Sequence, residues 1–173
     1  KRTVEIVTGE QVSVERESAM RITLYAALIA NDRMDWMIQK ATELGVAAIQ
    51  PLYSERSQRI PGDVNKRAEH WRGVVIAACE QCGRNQLPTV RAPIALSDAM
   101  AATSGANNVL MDADGLAAPV GGAAAVNVFV GPEGGYSPNE LTLLRAHCDT
   151  KLRIGQTVLR AETAAIAAVA ALL

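Results

Sequence analysis

Apolar positions in this chain come in short blocks that switch repeatedly between strand-like runs and helical spacing. Arg21–Ala30 is rich in Ile, Leu and Tyr and predicts a strand. After Asn31-Asp32, read as an N-cap, Met34, Met37, Ile38, Ala41 and Leu44 recur at helical spacing, and Gly45 ends that helix. Val46–Tyr53 predicts a second buried strand, Ser54–Gly62 a polar, arginine-bearing loop, and Asp63–Arg84 a long helix. Val90 marks a short strand and Ser97–Ala102 a short helix, while Asn108–Met111 and Val126–Val130 predict apolar strands. Ser137 then serves as N-cap, with Pro138 at the first helical position, for a helix over Ser137–Ala146. Lys151–Ile154 predicts a short strand and Leu159–Leu173 a closing helix. Upstream, Val4–Arg16 alternates weakly about Thr8-Gly-Glu10 and predicts a hairpin or trailing strand. Strands alternating with helices predict an α/β fold with a largely parallel sheet. There is no internal repeat, low-complexity tract or linker.

Composition narrows this picture. A chain of 173 residues suffices for one domain with a sizeable core. It has one Phe, two Trp and three Tyr against abundant Ala, which suits helices packed closely on a parallel sheet. No apolar stretch is long and uncharged enough to span a membrane, and the Ala164–Leu173 run reads as a core helix. Cys79, Cys82 and Cys148 are odd in number, and the single C-x-x-C of Cys79 and Cys82 lies within a helical pattern. His70 and His147 stand alone, so zinc-ligand spacing is missing and no metal is expected. The cysteines read as ordinary reduced thiols of a cytoplasmic protein. Net charge is −1, which gives no overall attraction to nucleic acid. From Glu55 to Arg91, however, Arg56, Arg59, Lys66, Arg67, Arg72, Arg84 and Arg91 outnumber the acidic residues and allow a local basic face.

Several chemistries are excluded by motif. No G-x-G-x-x-G follows the first strand, no Gly-Lys-Ser/Thr marks a phosphate loop, and neither H-E-x-x-H nor G-x-S-x-G occurs. What stands out is Gly131-Pro-Glu-Gly-Gly135, directly after the buried-looking run Val126–Val130 and just before the capped helix. A glycine-rich turn between a strand and a helix start is where open α/β sheets bind small molecules. Leu152–Ala164 repeats the arrangement: Gly155 and Gln156 form a loop, Val158 and Leu159 can face a pocket, and Arg160, Glu162 and Thr163 lie at a helix start. The plain alternative for that second stretch is a capped helix with a surface salt bridge.

Five segments together carry a specific resemblance. They are Met37-Ile-Gln-Lys-Ala-Thr-Glu-Leu-Gly-Val46, Ser54-Glu-Arg-Ser57, Ala78-Cys-Glu-Gln-Cys-Gly-Arg84 with Pro88, Gly131-Pro-Glu-Gly-Gly-Tyr-Ser137 with Glu140, and Leu159-Arg-Ala-Glu-Thr-Ala164. In this order they resemble the RsmE family, bacterial methyltransferases that modify N3 of a uridine in 16S ribosomal RNA. The match runs from about Arg21 to the C-terminus.

The resemblance implies a SPOUT-type α/β fold with helices on both faces of the sheet, in which the C-terminal chain (within residues 18–173) threads a deep trefoil knot, an exception to ordinary connection rules. It implies S-adenosyl-L-methionine as methyl donor, a homodimer, and 16S ribosomal RNA or the small ribosomal subunit as partner, without a metal. Lys1–Glu17 is then expected to be the tail of an N-terminal PUA-like RNA-binding domain. The cofactor is expected among three loops, Leu110–Gly115, Gly131–Gly135 and Leu152–Leu159, on Leu110, Met111, Val130, Gly131, Pro132, Glu133, Gly134, Gly135, Leu152, Ile154, Gly155, Val158 and Leu159. Arg160 or Arg84 is the candidate positive charge for a uridine anion, and Glu133 or Glu162 the candidate base. Arg56, Arg59, Arg84 and Arg91 are the expected contacts to RNA backbone. Two other readings stay open: a SPOUT methyltransferase for another RNA site, such as a tRNA ribose 2′-hydroxyl, and a non-catalytic RNA-binding module of the same fold.

Overall fold

The computed structural model describes residues 3–10, 12–14, 16–59, 63–116 and 124–173. Strands and helices alternate as β1 (Arg21–Ala27), α1 (Asn31–Leu44), β2 (Ala48–Tyr53), α2 (Val64–Cys82), β3 (Thr89–Val90), β4 (Ile94–Ala95), α3 (Leu96–Ala102), β5 (Asn108–Leu116), β6 (Ala125–Val130), α4 (Pro138–His147), β7 (Thr150–Leu152) and α5 (Ala161–Leu172). The sheet runs β3-β2-β1-β6-β5-β7, with β4 also paired to β2, and every pairing is parallel.

Alternation along the strands sorts side chains onto two faces. Ile22, Leu24 and Ala26 of β1 and Val126, Val128 and Val130 of β6 join a core built with α1, α2 and α5. Tyr25, Phe129 and Leu110 point the other way, into a second core with α3 and α4. Tyr25 and Phe129 stack there with ring centroids 4.8 Å apart. The largely parallel α/β expectation therefore holds, with helices on both faces.

Four local expectations need correction. No described residue of Val4–Arg16 is in a strand, and Val4, Ile6, Val7, Val12 and Val14 are exposed. Weak alternation places apolar groups on one side of a chain but supplies no sheet to receive them. Helix α1 is capped by Ala30 without a side-chain bond, so Asn31 is its first residue and Asp32 lies in its first turn. Leu110–Gly115 is a continuation of β5 rather than a loop, and α5 starts at Ala161, with Arg160 as N-cap. The loop expected over Ser54–Gly62 is seen through Arg59, and its last three residues lie outside the described ones.

Strand order reverses at β1, whose neighbours are β2 on one side and β6 on the other. The carboxyl ends of strands near such a reversal form a crevice between connections that leave in opposite directions. The cap of α4 is secured there twice over. Ser137 Oγ accepts the Glu140 amide at 3.3 Å, and the Glu140 carboxylate accepts the Ser137 amide at 2.9 Å.

Candidate functional site

At the carboxyl ends of β5, β6 and β7 lies a cleft of about 320 Å³. Its walls come from Met111–Asp114, from Val130–Glu133 with Gly135 and Tyr136, from Leu152–Ile154 and Thr157–Leu159, and from Leu141 and Arg145 of α4. The expected cofactor residues Met111, Val130, Gly131, Pro132, Glu133, Gly135, Leu152, Ile154, Val158 and Leu159 are thus brought together. Leu110, Gly134 and Gly155 do not line it. Strand alternation turns Leu110 into the second core, and the Gly134 carbonyl faces the loop after β2, where it accepts from Arg56 at 3.1 Å.

The glycines of the loop after β6 do different jobs. Gly135 sits at φ +67°, in the left-handed region. Gly131 is not in the left-handed region, but a Cβ there would lie 3.1 Å from the Tyr136 ring, tighter than ordinary van der Waals contact, so a side chain would press the ring back by a few tenths of an ångström. The Tyr136 hydroxyl is buried without a hydrogen-bond partner, and burial pushes its pKa well up. A buried hydroxyl left unpaired costs roughly 1–3 kcal/mol. Tyr136→Phe is therefore expected to keep or raise the melting temperature. A loss of several degrees in a thermal melt would show that the hydroxyl is satisfied in solution.

One wall of the cleft is charged. Arg145 Nε and Nη2 donate to Asp112 at 2.6 and 2.9 Å, and Nη2 also reaches Asp114 at 2.8 Å. The hydrogen bonds from Arg145, more than its charge, hold the Asp112 carboxyl below the usual carboxylate range. Sequence reading missed this triad, although two aspartates continuing an apolar strand were a signal. Arg145 carried none, because it meets Asp112 from 33 residues away.

A second cluster gathers around Arg33, also missed. Its Nη1 lies 3.1 Å from Glu133 Oε1 and its Nε 4.0 Å from Glu162 Oε1. Glu162 is buried and its Oε2 has no partner. Glu133 further accepts from the Ala30 amide at 3.5 Å and from Gln58 at 3.4 Å. The salt bridge weighed for Glu162 with Arg160 is instead formed with Arg33, and Arg160 is exposed.

Arg84 lies elsewhere. Its guanidinium pairs with Glu17 and donates to the carbonyls of Thr42 and Val46 at 2.9 and 3.0 Å, closing the C-terminal end of α1. It is absent from the cleft, and its guanidinium is engaged by main chain and carboxylate. Arg59 and Arg91 are exposed. Cys79, Cys82 and Cys148 are free thiols, with burial pushing Cys79 up and Cys148 up to about 12. Among the described residues no three His, Cys, Asp or Glu are grouped to hold a metal, and no helix is long and apolar enough to cross a membrane.

Residues 16–173 match the model of the RNA methyltransferase domain family. The ribosomal RNA small subunit methyltransferase E of Buchnera aphidicola subsp. Schizaphis graminum is 31% identical over 176 residues, covering 98% of this chain and 72% of that protein. A ribosomal RNA small subunit methyltransferase E from Neisseria gonorrhoeae, solved bound to S-adenosyl methionine, superposes with a TM-score of 0.83 at 36% identity, over 92% of this chain and 68% of that one. A protein from Legionella pneumophila, solved with the cofactor SAM, gives the same TM-score at 39% identity, over 93% and 69%.

Proposed function

The chain belongs to the ribosomal RNA small subunit methyltransferase E family of RNA methyltransferases, and on that premise we propose that it methylates N3 of a uridine in 16S ribosomal RNA, with S-adenosyl-L-methionine as donor. The observation that carries this reading is the cleft itself, where a glycine loop and an apolar loop face each other at the sheet's crevice. Its residues fit the donor. Leu152, Ile154, Val158 and Leu159 offer apolar surface for an adenine, Gly131 and Gly135 line the cleft, and Gly135 has nothing within 4 Å on its side-chain side to hinder close approach. When bound, the donor supplies a methyl group on a positively charged sulfur, already activated for transfer.

The chain's own residues must hold the uridine in line, exclude water, and take or offset the N3 proton. Of the two candidate bases, Glu133 lines the cleft and Glu162, which does not, is joined to it through Arg33. Arg160 is the candidate cation for charge developing across O2 and O4. Arg59 and Arg91 are proposed to meet RNA backbone. A C-terminal knot and a homodimer belong to the same reading. The first is supported by the path of the chain, which leaves edge strand β7, passes close to Gly115 and Leu116, and returns to pack α5 on α1. An enzyme acting on ribosomal RNA in a bacterium works in the cytoplasm.

Calorimetry with S-adenosyl-L-methionine, followed by mass mapping of nucleosides from treated small subunits, tests the proposal. Heat of binding and 3-methyluridine are expected. A methylated ribose would favour another RNA target, and no binding heat would favour a non-catalytic module. In the same assay, Arg160→Ala with wild-type turnover at saturating RNA would remove Arg160 from the reacting centre.

A further inference from the structure

Arg56 stands in the arginine-bearing loop after β2 and is exposed, yet its guanidinium reaches across to the main chain of the loop after β6. Its Nη1 donates to the Gly134 carbonyl at 3.1 Å and reaches the Tyr136 carbonyl at 3.5 Å. Its side chain also covers Gly134, where a Cβ would lie 3.7 Å from the arginine's own Cβ. Two neighbours act in the same direction. Gln58 donates to Glu133 Oε2 at 3.4 Å, and the Glu55 amide donates to Glu140 Oε1 at 2.9 Å. One loop therefore ties down the start, middle and end of the segment from Glu133 to the cap of α4.

We propose that Arg56 is a positioning residue for the cofactor loop rather than a contact to RNA phosphate. The inference rests on the reading that the cleft takes S-adenosyl-L-methionine. A segment with glycines at 131, 134 and 135 has much backbone freedom to lose when a ligand binds. Its carbonyls at Gly134 and Tyr136 belong to no sheet ladder, so Arg56 supplies their fixed donor. A hydrogen bond from a charged donor is stronger than one from a neutral donor. Fixing the loop before binding removes an ordering cost that would otherwise weaken affinity. Both bonds come from one nitrogen, Nη1, so lysine keeps the charge and has donors enough, but on a shorter stem and without the fixed orientation of a guanidinium.

The experiment compares wild type, Arg56→Ala and Arg56→Lys. Expected for Arg56→Ala is a Kd for S-adenosyl-L-methionine about tenfold higher, with Arg56→Lys between the two. The effect falls on the KM for cofactor, with kcat at saturating cofactor following within about twofold. Without any ligand, hydrogen exchange at the amides of Gly134–Tyr136 quickens in Arg56→Ala, while the melting temperature stays close to wild type. Unchanged exchange and cofactor affinity, with weaker and less salt-dependent RNA binding, would overturn the proposal and return Arg56 to the phosphate surface. If the wild type gave no heat with S-adenosyl-L-methionine, the cofactor reading would fail on its own, and the exchange measurement would still decide whether Arg56 holds this loop.

Discussion

Gly115→Ala is expected to lower stability by about 3 kcal/mol and to abolish cofactor binding, although it adds a single methyl group. Gly115 lies where β5 passes β7 with a shift of register, since Leu152 is the partner of both Met111 and Leu116. The four residues between them bulge out of the ladder. A Cβ on Gly115 would sit 2.5 Å from the Lys151 carbonyl oxygen, 2.7 Å from its carbon and 3.0 Å from the Asp112 oxygen. All three are main-chain atoms, so no side chain can swing away. Lys151 is held in β7 opposite Leu110, and the Arg153 amide bonds to the Leu116 carbonyl at 3.1 Å. Relief must therefore come from separating the two strands, which moves Asp112, Ala113 and Asp114 in the cleft wall. For a chain of this size the melting temperature should fall by roughly 6–12 °C. Gly73→Ala in the exposed middle of α2, where a Cβ meets nothing within 4 Å, is the control and should gain up to about 1 kcal/mol. A Gly115→Ala protein melting within a degree of wild type would mean that the strands do not approach this closely.

Gly115 also shows where sequence reading stops. The elements were legible because each carries its own local signal, from the period of Met34, Met37, Ile38 and Ala41 to the Ser137-Pro138 cap with Glu140 three residues on. The glycine loop was legible for the same reason. The side chain of Leu110 lies in the second core rather than the cleft because a loop assignment ignores which face of a strand a residue occupies, and one step along β5 separates the two. The polar clusters were illegible for a different reason. Arg33 reaches Glu133 across 100 residues and Arg84 reaches Glu17 across 67, distances that only the folded sheet closes. An arginine's type says that it will be paired or solvated. Its partner is decided by topology, which is why neither the pairing of Arg84 with Glu17 nor that of Arg56 with the Gly134 carbonyl could be read from their motifs.

The same kind of distant pair gives the second large effect. Arg145→Met should lower the melting temperature at pH 7 by about 5 °C, and the deficit should shrink as the solution is made acidic. Asp112 is 8% exposed and takes two hydrogen bonds from Arg145. Asp114 is mostly exposed and contributes little by itself. In wild type the folded Asp112 pKa lies below its ordinary value. Its stabilisation is therefore complete above the ordinary carboxylate range and is lost as pH falls from there through the folded pKa. Removing Arg145 leaves burial opposed only by the Asp114 amide and the more distant Lys151. An ionised carboxylate with so few partners is costly, and protonation relieves it. The two melting curves should thus lie furthest apart at neutral pH and converge near pH 3. In an Asp112→Asn background, Arg145→Met should change little at either pH, since the charge that needed compensation is gone. An equal gap between wild type and Arg145→Met at pH 7 and pH 3 would assign the arginine's contribution to packing of its stem against the cleft wall.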